Sequence, residues 1–413
     1  MEQILSRENM TLAFKKVKAK KGASGIDRIS VDEIQEYLKE NWAGIKERIQ
    51  KRKYKPLPVL RVEIPKPAGG VRKLGIPSVV DRIIEQAIVQ VITPVVEPNF
   101  SEYSYGFRPG RRAEQAIIKL LEYLNDGYTY IVDIDLEKFF DNVPQDKLMT
   151  LVGEIIKDPD TESLISKYLK AGVMIGGKYE ATKVGTPQGG NLSPILSNIM
   201  LNELDKELEK RNLSFVRYAD DCVITVGSSA AANRVMHTVT KWIEKKLGLK
   251  VNMTKTRTTR PTLLKYLGFG FVKMGGKWEA RPHQDSIRSF ERKLKKLTKR
   301  SWSISMSERI KRLNWVIRGW INYFRIGKMK TNLKRIDGHL RTRMRIVIWK
   351  QWKTRQKRYW GLRKLGAPKW MAKQAAGFAD HYQAVAKTTG LHKISKEILS
   401  KRGLVSCLDY YLN

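Results

Sequence analysis

The chain reads as an α+β protein: a first part that mixes antiparallel strands with helices, then an all-α part that is strongly basic. Three observations predict this. Ser214-Phe215-Val216-Arg217 and Cys222-Val223-Ile224-Thr225-Val226 are apolar runs flanking Tyr218-Ala219-Asp220-Asp221, which makes a β-hairpin with two carboxylates at its tip. Tyr130 to Asp135 alternates apolar and acidic residues, so period-2 geometry sets Asp133 and Asp135 on one face, opposite Val132 and Ile134. Near residue 281 the composition changes: residues 281–370 hold 28 Lys/Arg against 4 Asp/Glu, a net of +24, and seven of the ten tryptophans.

Taken in order, residues 1–60 read as mostly helical, interrupted by the basic, glycine-punctuated loop Lys20-Lys21-Gly22-Ala23-Ser24-Gly25. A Pro/Gly-bounded hairpin spans Val62 to Leu74 and helices follow to about 128. Residues 129–280 alternate strands and helices, with Asp158-Pro159-Asp160 as a turn entering a helix, Glu203 to Lys210 as a charged helix and Lys265 to Phe271 as a strand. Beyond 281, Leu313, Val316, Ile317, Trp320, Ile321 and Phe324 recur at helical spacing and mark a buried face. The aromatics there read as core and the cations as surface.

At 413 residues the chain has room for about two or three domains. Hydrophobic content of 42% is enough for packed cores. A formal net charge of +38 is hard to hold together without a polyanion, and nucleic acid is the plainest one. No apolar run approaches the roughly 18–20 residues that span a bilayer, so no membrane association is expected. Met1 to Arg7 lacks the apolar core of a secretory signal. Two cysteines, Cys222 and Cys407, make no disulfide scaffold, which points to a reducing cytoplasm. The five histidines are scattered singly and no Cys-x-x-Cys occurs, so no zinc-type nuclease site is expected.

The acidic tips carry the chemistry. Adjacent aspartates in apolar surroundings repel, and an ordinary Asp-rich turn beside a polar-faced edge strand is the bland account of them. A divalent cation gives the sharper one: Mg2+ takes a few carboxylate oxygens and leaves places for phosphate. Two acidic strand tips converging on a pair of ions would clamp the attacking and leaving oxygens of a phosphoryl transfer.

In order along the chain, Ile64-Pro65-Lys66-Pro67, Gly70 to Pro77, Tyr105-Gly106-Phe107-Arg108-Pro109, Asp135 with Phe140 five residues later, Gly185-Thr186-Pro187-Gln188-Gly189-Gly190-Asn191-Leu192-Ser193-Pro194, Tyr218-Ala219-Asp220-Asp221 and Lys265-Tyr266-Leu267-Gly268-Phe269 resemble the motifs of reverse transcriptases. Arg318-Gly319-Trp320-Ile321-Asn322-Tyr323-Phe324 resembles the thumb of the maturases encoded by bacterial group II introns, and the matches cover most of residues 1–380. The resemblance implies a right-hand polymerase with an antiparallel palm sheet. It divides the chain into an N-terminal extension (1–60), fingers and palm (61–280), a helical thumb/maturase domain (281–380) and a DNA-binding-like tail (381–413).

It also assigns roles. Asp135, Asp220 and Asp221 would be catalytic ligands of Mg2+, with Mn2+ as an alternative ion, and Asp133 would be structural. Lys66 and Arg72 would meet the triphosphate, Phe140 would lie under the sugar unless it is merely core, and Gln188 would touch the nucleotide. Arg108, Arg111, Arg112, Gly189, Gly190 and Lys265 would contact template or primer. The implied partners are group II intron RNA, an RNA template, a DNA or RNA primer, dNTPs and target DNA, in the bacterial cytoplasm. The compact length suggests the IIC type. Two other functions remain open: a maturase that mainly binds RNA as a splicing cofactor, and a retron or diversity-generating reverse transcriptase.

Overall fold

Polar and apolar residues alternate between 61 and 64, and this stretch pairs as an antiparallel hairpin of β1 (Val59–Pro65) and β2 (Val71–Ile76) in the computed structural model, which describes residues 1–65, 69–186 and 189–413. The expectations for Lys66 and Gln188 lie outside the described residues. The chain divides into two units, Met1–Arg260 and Pro261–Asn413.

In the first unit the hairpin is followed by β3 (Tyr130–Ile134), the short pair β4 (Val173–Ile175) and β5 (Lys178–Glu180), the hairpin β6 (Ser214–Tyr218) and β7 (Asp221–Val226), and β8 (Arg257–Thr259). One sheet runs β2-β1-β4-β5, mixed because β1 and β4 are parallel. The other runs β6-β7-β3-β8 and is antiparallel throughout. Its register sets Ile134 opposite Cys222 and Tyr218 opposite Asp221, so the strand end before Asp135 and the turn bearing Asp220 meet at one edge.

Two helices that bury apolar faces make the floor beneath that edge. Helix Val79–Val96 starts where Ser78 accepts a hydrogen bond from the Asp81 N–H, and Ile83, Ile84, Ala87, Ile88 and Ile92 are buried on it. Helix Ser193–Lys210 buries Leu196, Ile199, Met200, Leu201 and Leu204 in the same core as Val132, Phe215 and Ile224. Each such side chain withdrawn from water contributes about 1.5–3 kcal/mol, which fixes the platform on which the strand ends sit.

The second unit begins with the 3-10 turn Pro261–Leu263 and continues into the hairpin β9 (Phe269–Met274) and β10 (Lys277–Pro282), so the compact division falls at 260 rather than 280. The expected strand from Lys265 begins only at Phe269. Leu267 and Gly268 have positive φ (48° and 81°) and turn the chain there, and a Cβ on Gly268 would stand 3.2 Å from both the Phe324 ring and Ser286 Oγ.

Helices Gln284–Leu297, Met306–Phe324 and Lys330–Gln351 follow. The predicted face is realised: Leu313, Ile317, Ile321 and Phe324 are buried, and Trp320 stacks on Phe290 with centroids 4.4 Å apart. Trp349 is buried too, its indole N–H donating to the Ala379 carbonyl at 2.9 Å. Three other tryptophans overturn the core assignment: Trp315, Trp360 and Trp370 are 64%, 55% and 64% exposed. All three lie on solvent-facing sides of their helices, and Lys311 Nζ stands 5.3 Å from the centroid of the Trp315 ring. The last residues dock through Asp337, whose buried carboxylate accepts from Ser406 Oγ and from the Cys407 and Leu408 amides, capping helix Cys407–Leu412.

Candidate active site

Asp135 and Asp220 open on one cleft in the first unit, together with Arg72 and Lys73 of β2, Phe140, Asn252 and Lys255. Asp135 stands one residue past the end of β3. Its backbone N–H donates to Thr256 Oγ1 at 3.1 Å, and its carbonyl accepts from the Asn252 amide at 2.8 Å, so segment 252–256 fixes where the carboxylate emerges. Asp220 sits in the two-residue turn between β6 and β7, beside Ala219 at φ 57°. Phe140 follows a left-handed Lys138 (φ 44°) that bends the chain from β3 into helix Phe139–Asn142. It is half-buried, edge-on to the buried Phe139 ring, and still lines the cleft.

Asp133, Asp220 and Asp221 each feel the charge of neighbouring aspartates. Burial holds the Asp220 carboxyl above the usual carboxylate range; the charge of Asp135 adds to this, and Arg72 and Arg217 offset it. Asp221 is exposed at the start of β7, yet desolvation of its carboxyl, then the charges of Asp220, Asp133 and Asp135, push it up to about 6. Asp133 is raised by burial and by Asp135, while Arg257, 3.7 Å away, pulls the other way. Lys255 Nζ lies 3.4 Å from Asp135 Oδ2.

This donor set fits a hard divalent cation that shares its sphere with phosphate. Mg2+ binds through one or two carboxylates plus substrate oxygens and needs no all-protein cage. Among the described residues, no three His, Cys, Asp or Glu side chains are grouped so as to hold an ion by themselves, and Asp221 is not among the residues that line the cleft with Asp135 and Asp220. A second cationic element faces them: Arg72 is exposed on β2 and close enough to lower the Asp220 pKa.

The remaining expectations divide. Arg108 is corrected: it is buried, ion-paired with Glu97 at 2.8 Å and donates to the Ser101 and Ser104 carbonyls, so its guanidinium braces the protein and faces no template. Arg111 donates to the Glu102 carbonyl at 2.6 Å and lies over the Tyr105 ring, while Arg112 is exposed. The close approaches of Gly189 and Gly190 are to protein. A Cβ on Gly189 (φ 121°) would fall 2.1 Å from the Gly75 carbonyl of β2, and one on Gly190 would stand 3.0 Å from Glu85 Oε2. Lys265 belongs to the second unit and pairs with Asp285 at 2.9 Å.

Sequence reasoning missed Lys255, Glu85 and the pair Arg217–Asp205. Lys255 had no motif to mark it, only a place in Asn252-Met253-Thr254-Lys255. Glu85 is buried among the apolar residues of helix Val79–Val96 and its Oε2 accepts from the Asn191 amide at 2.5 Å; an acidic residue on an apolar helix face was the available signal.

Comparison with known proteins identifies the family. Residues 64–271 match the family described as reverse transcriptase (RNA-dependent DNA polymerase), and residues 287–366 match the group II intron maturase-specific domain. The chain belongs to the reverse transcriptases, and within them to the type that carries a group II intron maturase domain; it is an RNA-directed DNA polymerase of that kind.

Protein YkfC of Escherichia coli is 33% identical over 289 residues, covering 61% of this chain and 74% of that protein. The group II intron-encoded protein LtrA of Lactococcus lactis is 30% identical over 362 residues, covering 68% of this chain and 60% of its own length. A putative COX1/OXI3 intron 2 protein of Saccharomyces cerevisiae is 30% identical over 337 residues, 67% of this chain and 39% of that one. Among solved structures, telomerase from Candida albicans with a fragment of telomeric RNA aligns over 74% of this chain and 60% of its own, at 13% identity and a TM-score of 0.45, too distant to carry an argument. No helix among the described residues is long and apolar enough to cross a membrane.

Proposed function

We propose that this protein copies RNA into DNA in the cleft of Asp135 and Asp220, and that its second unit binds group II intron RNA to assist splicing and return of the intron to target DNA. The observation that carries the reading is the cleft itself, lined by a carboxylate just past β3 and another in the β6–β7 turn together with Arg72 and Phe140.

Asp135 and Asp220 would hold Mg2+, with Asp221 supporting them, and Mn2+ would be accepted by the same oxygen set. When bound, the ion favours ionisation of the primer 3′-hydroxyl and neutralises charge on the departing pyrophosphate. The bond formed joins the primer O3′ to the α-phosphorus, and the bond broken releases pyrophosphate. Arg72, with its planar fork, suits bidentate contact with the triphosphate, and Lys66 would add a point charge. Phe140 would lie beneath the sugar and exclude a 2′-hydroxyl, with Gln188 against the same nucleotide. Arg111 and Arg112 remain the template contacts of this proposal.

The basic second unit supports the RNA half of the reading, since 37 Lys/Arg stand there against 8 Asp/Glu. Cys222 and Cys407 are free and buried, which suits a reducing compartment such as the bacterial cytoplasm.

Primer extension on an RNA template tests the assignment. Asp220→Asn should lower the rate by several orders of magnitude, each factor of ten being about 1.4 kcal/mol of barrier, while folding and RNA binding persist. Near-normal extension by folded Asp220→Asn protein would sink the catalytic assignment.

A further inference from the structure

The turn that carries Asp220 is held by charges that never reach the cleft. Ala219 adopts the left-handed conformation (φ 57°), which a residue with a Cβ occupies only where its surroundings hold it. The holding group is Arg217, wholly buried on β6. Its Nη1 donates to the Ala219 carbonyl at 2.9 Å and to Asn198 Oδ1 at 3.1 Å. Its Nε and Nη2 reach the two oxygens of the buried Asp205, at 2.7 and 2.5 Å. Asp205 and Asn198 lie on helix Ser193–Lys210, so the guanidinium ties the catalytic hairpin to the platform beneath it.

The other side of the turn is closed as well. The Arg217 amide donates to the Tyr103 carbonyl and the Tyr105 amide donates to the Arg217 carbonyl, each at 2.9 Å, so residues 103–105 run along β6 like an added strand. Asn198 Nδ2 donates to the Gly106 carbonyl at 2.9 Å. A Cβ on Gly106 would sit 2.2 Å from the Ala219 nitrogen, so only glycine allows this segment against the turn. Arg108 completes the brace by fixing the Ser101 and Ser104 carbonyls.

We propose that Arg217, clamped by Asp205, is a positioning residue for the polymerase reaction: it fixes the Ala219 carbonyl, and with it the direction in which Asp220 enters the cleft. This rests on the assignment of Asp220 as an ion ligand. The chemistry of the arrangement favours a positioning role over a merely stabilising one. A buried ion pair adds little stability over a well-packed apolar pair, whereas a planar five-donor group can hold a carboxylate and two further acceptors in one fixed geometry. Lysine offers a charge without that fork.

The test uses the full chain, extension of a primer on an RNA template, and Mn2+ binding to the protein alone followed by electron paramagnetic resonance. Arg217→Lys should lower kcat about 100-fold, the scale set by displacing a reacting group by about 1 Å, with KM for dNTP within about twofold of wild type. Its Mn2+ affinity should fall several-fold. Ala219→Gly, which accepts positive φ at no cost, should return about tenfold of the lost kcat in the Arg217→Lys background. If Arg217→Lys fails to fold, the apolar pair Arg217→Met with Asp205→Leu keeps the volume filled and should fold while showing the same loss.

Folded variants with wild-type kcat and Mn2+ affinity would overturn the proposal, as would a loss that Ala219→Gly does not relieve. The Asp220 assignment is judged separately, by extension with Asp220→Asn in otherwise unaltered protein.

Discussion

The two units spend charge in opposite ways. Residues 1–260 hold 42 Lys/Arg against 33 Asp/Glu, nearly balanced, and several of those charges are buried in pairs or hydrogen-bonded sets: Arg217 with Asp205, Arg108 with Glu97, Asp81 with Tyr54 and Ser78. Residues 261–413 hold 37 Lys/Arg against 8 Asp/Glu, and most of that excess faces solvent. Buried charge fixes direction, because a desolvated group must meet its partners in one geometry. Exposed charge of one sign sums into a field and needs no fixed geometry to attract a polyanion. The first arrangement suits chemistry at a point, the second grip along a surface.

The sharpest way to break that comparison is at Asp135. Asp135→Asn should abolish primer extension by several orders of magnitude and leave binding of intron RNA, measured by filter retention, within about twofold. Parallel losses of both would mean that the two units do not divide the labour this way. A smaller effect is expected at Phe140. Replacing it by Ala should raise incorporation of ribonucleotides relative to deoxynucleotides by about tenfold or more, read from competition on one template. An unchanged ratio would make Phe140 a packing residue that happens to line the cleft.

Glu85 sharpens the point about buried charge through pH. Burial, then the nearby Asp81, pushes its carboxyl up to about 8, against an ordinary value near 4.5, despite the Asn191 and Leu192 amides that favour the anion. The folded state therefore holds a proton that the unfolded chain releases between about pH 4.5 and 8. Stability should be greatest below that window and decline as pH rises through it, at up to about 1.4 kcal/mol per pH unit. Glu85→Gln keeps an acceptor for the Asn191 amide and should flatten the melting temperature against pH. A profile that keeps its slope would show that the decline comes from elsewhere.

The smallest effect belongs to the basic surface. Lys334 is exposed on helix Lys330–Gln351, whereas Arg345 commits its Nε to the Ile394 carbonyl at 3.1 Å. Lys334→Ala should weaken RNA binding a few-fold and flatten the slope of log K against log salt by about 0.7–0.9 if it meets a phosphate. An unchanged slope would leave it a solvated cation, and the grip would have to be sought on another face.

What could be read without coordinates followed from periodicity and from residue types whose chemistry is narrow. Alternation at 130–135 and the two apolar runs around Tyr218-Ala219-Asp220-Asp221 determined three strands and the acidic tips. Helical spacing determined the buried face of Leu313, Ile317, Ile321 and Phe324, and the lopsided Lys/Arg count pointed to a polyanion as partner. Those are local properties, written in neighbouring residues.

Which cations are free to meet a nucleic acid was decided elsewhere. Arg108 and Arg112 look alike in sequence, yet one is locked onto Glu97 and two carbonyls while the other is exposed. Trp349 and Trp360 are both tryptophans on basic helices, and only the first is buried. Arg217 and Asp205 are twelve residues apart, and their pairing depends on how a helix lies under a hairpin. Burial and partner choice depend on which surfaces meet, and that is settled only when segments distant in the chain pack together.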